Sequence, residues 1–342
     1  MSELAPAYFL LRIAVAALFL TLGAADLAVG QAGMVLFVLS ELGLIVLMSR
    51  MIRASRATGH SPSLLTLFKV WEGWPKGVEH HVEVPYWGSL TLDIYARSNL
   101  DMAPTLIYVH PGSWMRGGPG RQSRALFHRL TKIGWVVLDI RYPLSPEATF
   151  PEHLIGVKRA IAWAREEGAG YGIDGSRIAI SGGSSGAHLA ALAALTARDR
   201  HLQTGFEEVD VEVAACLPFY GIYDLLVRNP TRYDWPFVAQ TVMKKRASED
   251  PYLYSLGSPI DQVHADAPPF FVIHGEFDSI VLPAESEHFV EALRQAGVDT
   301  SYFEVPGAQH GFDAVASLRT RAVAALCTEW LEKSVAGLRQ DR

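Results

Sequence analysis

The hydrophobic and polar positions along the chain divide it into two unlike parts. From Pro6 to Met48 the sequence is almost entirely apolar, and its charged interruptions are Arg12, Asp26 and Glu41. This pattern predicts two helices of about twenty residues each, which turn near Asp26 to Gly33 and are long enough to cross a bilayer as a hairpin. We therefore expect membrane association through residues 6–48.

Two other interpretations of this segment stay open. The charge-free runs Ile13–Ala25 and Leu27–Ser40 also suit apolar helices that cap an active site, or the core of a signal peptide cleaved near Ala24. A second apolar run directly after the first is more than a secreted enzyme needs, which favours the membrane hairpin. By the positive-inside rule, three arginines after the second run place the remainder of the chain in the cytoplasm: Arg50, Arg53 and Arg56.

Beyond residues 1–53, the polar connector 54–78 leads into a pattern of strands and helices. Alternating apolar and polar residues at Val82–Pro85 and Leu90–Ala96 predict an antiparallel hairpin. Short apolar runs then alternate with helical segments, as is typical of strands buried on both faces of a parallel sheet. The expected fold class for residues 79–342 is α/β, with a mostly parallel central sheet and helices on both faces. The strand predictions are Thr105–Val109, Trp135–Ile140, Ile178–Ile180, Val213–Phe219, Phe270–Ile273 and Ser301–Val305, and the helix predictions are Ser123–Ile133, His153–Glu167, Ala187–Ala197 and Glu285–Gln295.

Composition narrows the possible functions. A net charge of −6 and a pI near 6.1 argue against a nucleic-acid partner, which would require a clustered basic face. The two cysteines, Cys216 and Cys327, lie far apart in apolar stretches and are expected to be buried free thiols rather than a disulfide. Because no group of Cys, His and carboxylate residues has metal-ligand spacing, no metal is expected.

The strongest chemical motif is a strand that runs into Gly-x-Ser-x-Gly and continues as an Ala/Leu-rich helix, over Ile178–Leu189. A serine on such a tight turn needs small flanking residues, here Gly182 and Gly186, and the helix start directs N–H groups at a developing oxyanion. This context predicts Ser184 as a nucleophile. Two further serines, Ser181 and Ser185, are not centred between the glycines.

A nucleophilic serine requires a base and an orienting carboxylate, which follow the serine in this sheet type in the order acid, then histidine. Asp278 directly follows one predicted strand and His310 follows the next, so both fall at carboxyl ends of strands. We therefore predict Asp278 as the acid and His310 as the base. The alternative acids are Glu276 and Asp313.

The loop His110-Pro-Gly-Ser-Trp114 ends another strand and is of the kind that supplies oxyanion-binding amides. Over roughly residues 80–335 the chain resembles the hormone-sensitive-lipase and feruloyl/acetyl-esterase-like branches of the α/β-hydrolase superfamily. The loop resembles the family's His-Gly-Gly-Gly-Trp sequence. Other shared motifs are Leu92-Asp-Ile-Tyr95, Asp139-Ile-Arg-Tyr142 with Phe150-Pro151, Tyr171-Gly-Ile-Asp174 with Arg177-Ile-Ala, and Pro268-Pro269.

The resemblance implies a serine carboxylesterase whose oxyanion donors are the amides of Gly112, Ser113 and Ser185. Pro111, which replaces the family's first loop glycine, has no N–H but precedes those donors. Residues expected to line the substrate pocket are His110, Trp114, Gly183 and Tyr220. An inserted lid is expected at 228–260, where aromatic residues cluster.

The predicted reaction is hydrolysis of a small-molecule ester through an acyl-enzyme, and a membrane hairpin would add lipophilic esters to the substrates to consider. This hydrolytic reaction requires no cofactor. Two alternatives accompany it. An amide hydrolase of the arylformamidase kind has a His-Gly-Gly-x-Trp loop that resembles 110–114 as closely. A membrane-anchored hydrolase fold without catalysis is the other, and such proteins usually lose a member of the triad.

Overall fold

The computed structural model describes residues 2–60, 66, 73–229 and 235–336. Most of the amphipathic piece predicted within the connector, Leu64–Trp74, therefore lies outside the described residues, as does 230–234 of the predicted lid. The described helices are α1 Ala5–Thr21, α2 Ala28–Ala57, α3 Arg124–Lys132, α4 Glu152–Glu166, α5 Ser185–Leu195, α6 Pro251–Leu256, α7 Pro283–Gln295 and α8 Leu318–Ala336.

Eight strands in the described part of the chain form one sheet in the order β1-β2-β4-β3-β5-β6-β7-β8. The pairs β1–β2 and β2–β4 are antiparallel and all other pairs are parallel, which confirms the expected mostly parallel α/β sheet with an antiparallel hairpin at its edge. The strands are β1 Val78–Trp87, β2 Leu90–Arg97, β3 Ala103–Val109, β4 Val136–Ile140, β5 Ile173–Gly183, β6 Ala215–Phe219, β7 Phe270–Gly275 and β8 Thr300–Val305.

Helices cover both faces of this sheet, so the central strands are buried on both sides. Side chains of α4, α5 and α7 pack on one face and those of α3 and α8 on the other. Every residue of β4 and β6 is buried, which explains why these strands are continuous apolar runs rather than alternating ones. Cys216 and Cys327 are buried free thiols, as expected.

The apolar N-terminal segment forms two packed helices, but its turn lies earlier than the sequence suggested. The turn between α1 and α2 contains Gly23, whose φ of 84° is the left-handed conformation that glycine adopts without strain. Gly30 was expected within the turn, yet it lies inside α2, where an added Cβ would sit 1.7 Å from the carbonyl oxygen of Ala24. The glycine at 30 therefore permits close packing rather than chain reversal.

Most apolar side chains of α1 and α2 are exposed. The hairpin packs on the α/β domain at the start of α1 and at the end of α2. Within the described chain, α2 alone is a helix long and apolar enough to cross a membrane, and α1 is a shorter apolar helix of 17 residues. The last turns of α2 are buried through Met51 and Ala54, against α8. The start of the hairpin is fixed by Glu3, whose carboxylate lies 2.8 Å from the guanidinium of Arg319.

The Glu3–Arg319 pair leads to a stability prediction. Arg319 is fully buried, and burial lowers the pKa of its guanidinium while Glu3 opposes that change. Replacing Glu3 with alanine would leave the cation buried without its partner, so we expect a loss of about 3 kcal/mol in the free energy of unfolding. Chemical unfolding of the full chain in detergent measures this loss. The exposed Glu287→Ala serves as control, and equal midpoints for the two variants would contradict the prediction.

Candidate active site

Five strands end at the same edge of the sheet, and the loops that follow them carry the chemistry. Loops after β3, β5, β6, β7 and β8 bring together His110–Trp114, Ser184, Tyr220, Asp278 and His310. Because parallel strands all point their carboxyl ends to one edge, residues far apart in sequence meet there.

Ser184 occupies a strained turn between β5 and α5. Its backbone has φ 54° and ψ −119°, a conformation that side-chain-bearing residues rarely adopt. The flanking glycines make the turn possible, because a Cβ at Gly182 would lie 2.5 Å from the backbone of Gly186, and one at Gly186 would lie 2.0 Å from the oxygen of Val109. The turn thus explains the spacing of the glycines in the motif.

A continuous chain of hydrogen bonds links the serine, the histidine and the aspartate. His310 Nε2 lies 3.0 Å from Ser184 Oγ, and His310 Nδ1 lies 2.6 Å from Asp278 Oδ2. Since an ionised carboxylate only accepts hydrogen bonds, Nδ1 carries the ring proton and Nε2 is left to accept the serine hydroxyl proton. The structure therefore brings Ser184, His310 and Asp278 into one arrangement suited to proton transfer.

Asp278 is buried and held from several sides. Its Oδ1 accepts the amides of Ile280 and Val281, at 2.9 and 3.0 Å, while His274 Nε2 lies 3.2 Å from Oδ2. Burial raises the pKa of Asp278, but the hydrogen bonds of His274 and His310 outweigh burial and hold that pKa well below its usual value. The carboxylate is therefore ionised at neutral pH. Sequence reasoning missed His274, which lies four residues before Asp278 at the end of β7.

The two alternative acids make other contacts. Glu276 accepts the amide of Gly307 at 2.6 Å through Oε2. Asp313 is buried and accepts the hydroxyls of Ser123 and Tyr220. Burial raises the pKa of Asp313, and the two hydroxyl bonds oppose that rise. Of the three carboxylates, Asp278 is the one that hydrogen-bonds to the His310 ring.

The loop after β3 is folded back on itself beside Ser184. The amides of Met115 and Arg116 both donate to the carbonyl of Gly112 at 3.1 Å, and Gly112 has φ 144°. A Cβ at Gly112 would lie 1.7 Å from the carbonyl oxygen of Arg116, so the tight loop requires glycine there. Ser113 follows with φ 58°. At the other side of the site Ser185 is the first residue of α5, a position whose N–H has no partner within the helix.

Ser184 opens into a cavity of about 550 Å³. Three of the predicted pocket residues, His110, Trp114 and Tyr220, line it. Gly183 does not line it, because this glycine lies behind the Tyr220 ring, whose hydroxyl would be 2.8 Å from an added Cβ. Neither α1 nor α2 contributes to the lining, so the described helices of the hairpin do not cap the site. Lining residues that sequence reasoning missed include Arg116, Arg121, Gln122, Asp139, Ile222 and Ile280.

Fixed contacts orient two of the lining side chains. The Trp114 indole donates to His188 Nδ1 at 3.1 Å, so His188 Nε2 carries the proton and donates to the carbonyl of Gly257 at 2.7 Å. The His110 ring stacks on Tyr142 with centroids 4.4 Å apart. Burial lowers the pKa of His110 to about 4, so this ring is neutral at neutral pH.

The predicted lid reaches the cavity through two aromatic residues. Trp235 and Phe237 line the cavity with stacked rings whose centroids are 5.7 Å apart. Their described neighbours include a single turn of π-helix at Val238–Val242 and the short helix α6. Whether 228–260 acts as a lid stays a prediction.

Asp139, at the end of β4, is a buried carboxylate on the cavity wall. Its Oδ2 accepts the amide of Gly120 at 2.7 Å, while Oδ1 has no partner in the described part of the chain. Burial raises the pKa of Asp139 to about 7, and the Gly120 amide opposes that rise. Asp139 therefore titrates near neutral pH.

This raised pKa makes stability depend on pH in a defined direction. Between about pH 4 and 7 native Asp139 keeps a proton that the unfolded chain releases, so its contribution lowers stability as pH rises, by up to about 4 kcal/mol in total. In Asp139→Asn this loss is absent. We expect the variant to gain stability relative to the unaltered protein over that window and to level off above it. Unfolding curves across pH test this, with exposed Asp101→Asn as control; parallel curves would contradict it.

Comparisons with known proteins agree with this geometry. The BD-FAE family model matches residues 92–293, more than half of the chain. Esterase LipQ of Mycobacterium tuberculosis is 47% identical over 245 residues, covering 70% of this chain and 58% of LipQ. The probable carboxylic ester hydrolase LipM of the same organism is 37% identical over 287 residues, covering 81% of this chain and 66% of LipM. The chain thus spans less than two thirds of the length of each of these curated relatives.

Solved structures share the fold. A truncated carbohydrate esterase from gut microbiota superimposes with a TM-score of 0.68 at 25% identity, covering 78% of this chain and 100% of that chain. Thermogutta terrifontis esterase 2, phosphonylated by sarin, superimposes with a TM-score of 0.62 at 22% identity, covering 75% of this chain and 95% of that chain. With the sheet order and the strand–turn–helix at Ser184, these matches show that the chain belongs to the BD-FAE family and has the α/β-hydrolase fold.

Proposed function

We propose that the protein is a serine carboxylesterase that hydrolyses small-molecule esters through an acyl-enzyme. The observation that carries this proposal is the hydrogen-bonded chain from Asp278 through His310 to Ser184, which ends in a cavity large enough for an ester. The relatives LipQ and LipM, both named as ester hydrolases, support the same reaction class.

The reaction begins when Ser184 Oγ attacks the ester carbonyl carbon while His310 Nε2 takes the hydroxyl proton. The carbonyl electrons move to oxygen, and the amides of Gly112, Ser113 and Ser185 donate hydrogen bonds to this oxyanion. Asp278 stabilises the imidazolium. As the tetrahedral intermediate collapses, the C–O bond to the alcohol breaks and His310 returns the proton to the departing oxygen.

Hydrolysis of the acyl-enzyme repeats these steps with water. His310 Nε2 removes a proton from water, the resulting hydroxide attacks the acyl carbon, and the same three amides receive the second oxyanion. Collapse releases the carboxylic acid, and the proton held by His310 returns to Ser184. Because Asp278 has a pKa well below its usual value, it stays ionised through both half-reactions.

We further propose that the hairpin of α1 and α2 lies in a membrane. Its exposed apolar surface supports this, as does the one internal charge pair, in which Arg12 Nε lies 2.7 Å from Glu41 and the guanidinium also contacts Ser40. Pairing lowers the cost of placing charged side chains among lipid tails. The positive-inside rule supports a cytoplasmic α/β domain, because three arginines follow the apolar part of α2: Arg50, Arg53 and Arg56.

Hydrolysis of p-nitrophenyl acetate, butyrate, octanoate and palmitate by the full chain tests the proposed activity, with formyl-kynurenine as a competing amide substrate. We expect release of nitrophenol from the short esters and loss of activity after treatment with a fluorophosphonate probe, which labels activated serines. Hydrolysis of formyl-kynurenine without hydrolysis of the esters would show that the protein is an amide hydrolase and not an esterase. A folded chain that hydrolyses nothing and resists the probe would indicate a non-catalytic scaffold.

A further inference from the structure

The loop that carries Asp278 also exposes three large apolar side chains. Ile280 is 52% exposed, and Phe277 and Leu282 are each 41% exposed. They form what we call the acid-loop patch, defined as Phe277, Ile280 and Leu282. Ile280 also lines the wall of the cavity that holds Ser184, so the patch adjoins the substrate site.

The exposure of the patch is a fixed feature of the loop. Asp278 accepts the amides of Ile280 and Val281, and the Phe277 amide donates to the carbonyl of Ala308 at 2.8 Å. Val281 is fully buried, which anchors the loop between its two exposed neighbours. Leu282 then begins α7 as its N-cap residue. The apolar side chains therefore project from a loop that is tied down on both sides.

The patch lies directly beside the point where the hairpin leaves the α/β domain. The guanidinium carbon of Arg50 is 4.8 Å from the centre of the Phe277 ring. The Arg50 stem also approaches Gly307, at 3.2 Å from the position of an added Cβ. Along α2, Leu42, Ile45 and Val46 are exposed, whereas Met51 is fully buried. The helix thus emerges from the domain at Arg50, and Phe277 lies at the same level.

The level of Arg50 corresponds to a bilayer surface if the hairpin lies in the membrane. Arginines at the end of an apolar helix place their charges among lipid headgroups, and a row of them favours anionic lipids. Both ends of the hairpin are attached to the domain, at Glu3–Arg319 and at Met51, so its direction relative to the acid-loop patch is fixed. The patch therefore lies between the point where the hairpin leaves the domain and the wall of the cavity.

We propose that the acid-loop patch inserts into the bilayer surface beside the hairpin and gives the cavity access to acyl esters dissolved in the membrane. The occupant of the patch is thus lipid, and the substrate class is a membrane-partitioned acyl ester. The choice of substrate rests on the proposed esterase function, whereas the contact with lipid rests on the proposed membrane position of the hairpin.

Contact with lipid is measured on a Ser184→Ala background, which makes the readout independent of catalysis. The native cysteines are fully buried, so a cysteine introduced by Leu282→Cys can be labelled selectively with the environment-sensitive dye NBD. Ile133→Cys is the matched control. Ile133 is 50% exposed, and it lies between α3 and β4, where the parallel strands begin, whereas the acid-loop patch lies where they end. The full chain is reconstituted in phosphatidylcholine vesicles containing phosphatidylglycerol and nitroxide-labelled lipid.

We expect strong quenching of the dye at position 282 and little at position 133. Equal quenching at the two positions would overturn the proposal. A blue-shifted dye at 282 that resists nitroxide lipid and responds to protein concentration would also overturn it, because a second copy of the chain would then cover the patch.

The access route is tested by the double variant Phe277→Ser/Leu282→Ser, which leaves Ile280 in place. We expect hydrolysis of 4-methylumbelliferyl oleate in vesicles to fall about tenfold, from lost apolar contact, while p-nitrophenyl acetate in solution is cleaved within about twofold of the unaltered rate. Ile133→Ser should change neither rate. An unchanged ratio of oleate to acetate hydrolysis in the double variant would refute the route. If the unaltered protein hydrolysed neither ester, the esterase function would be contradicted. Quenching of the dye would then still show whether the patch contacts lipid.

Discussion

Replacing Ser184 with alanine is expected to lower kcat for p-nitrophenyl acetate by at least about 10⁴-fold, with little change in KM. The alanine removes the oxygen that forms the acyl-enzyme, and His310, 3.0 Å from that oxygen, is left with nothing to deprotonate except water. Binding of the ester depends on the cavity wall and is retained. Steady-state kinetics on the full chain in detergent measure both constants.

The matched control is Ser181→Ala. Ser181 lies three residues earlier in β5 and donates its hydroxyl to the carbonyl of Leu217 at 2.6 Å, away from His310. Its loss should leave kcat within a few-fold of the unaltered value and leave fluorophosphonate labelling intact. If Ser184→Ala retained most of the activity, or if the two variants lost activity equally, Ser184 would not be the nucleophile.

The parts of the fold and the site that were predictable are those specified by local sequence. Continuous apolar runs marked β3, β4 and β7 because strands buried on both faces cannot alternate. The glycines around Ser184 were recognisable because backbone atoms of the turn and of Val109 occupy the space of their missing side chains. The hairpin turn was misplaced because Gly30 looks like a turn residue, although helix packing requires it.

Strand β5 shows a second limit of local patterns. The sequence predicted only Ile178–Ile180, yet the strand extends from Ile173 to Gly183. Ile173 pairs with Ala103 and Ile178 pairs with Thr105, so residues 174–177 form an irregularity within the strand, in which Asp174 and Arg177 make an ion pair at 2.7 Å. An apolar run does not reveal a strand that resumes beyond an irregularity made of polar residues.

The supporting contacts of the site were not predictable, because they join residues that are distant in sequence. Tyr220 donates to Asp313 across 93 positions, and Ser123 reaches the same carboxylate across 190. Each of these residues taken alone resembles an ordinary polar residue at the end of a strand or helix. Their pairing, under a Tyr220 ring whose centroid is 4.7 Å from that of His310, follows only from the order of the strands in the sheet.

Replacing Asp278 with asparagine is expected to lower kcat/KM by about 10⁴-fold near neutral pH. The amide that takes the place of the carboxylate can donate to His310 Nδ1, and the ring proton then moves to Nε2, which can no longer accept the proton of Ser184. The imidazolium also loses its counter-charge. Because the pKa of Asp278 lies well below its usual value, mild acidification does not neutralise this carboxylate in the unaltered protein, so the variant should be less active at every pH in the range. Kinetics from mildly acid to alkaline pH measure the difference.

Glu276→Gln supplies the matched control, since Glu276 lies two residues away and accepts the amide of Gly307 instead of contacting His310. A glutamine oxygen can still accept that amide, so we expect kcat/KM to stay within a few-fold. Asp313→Asn tests the remaining alternative, and its effect should be smaller than that of Asp278→Asn because Asp313 hydrogen-bonds to Tyr220 and not to the His310 ring. A larger loss from either control than from Asp278→Asn would transfer the role of orienting carboxylate to that residue, and the 2.6 Å contact between Asp278 and His310 would then be structural rather than catalytic.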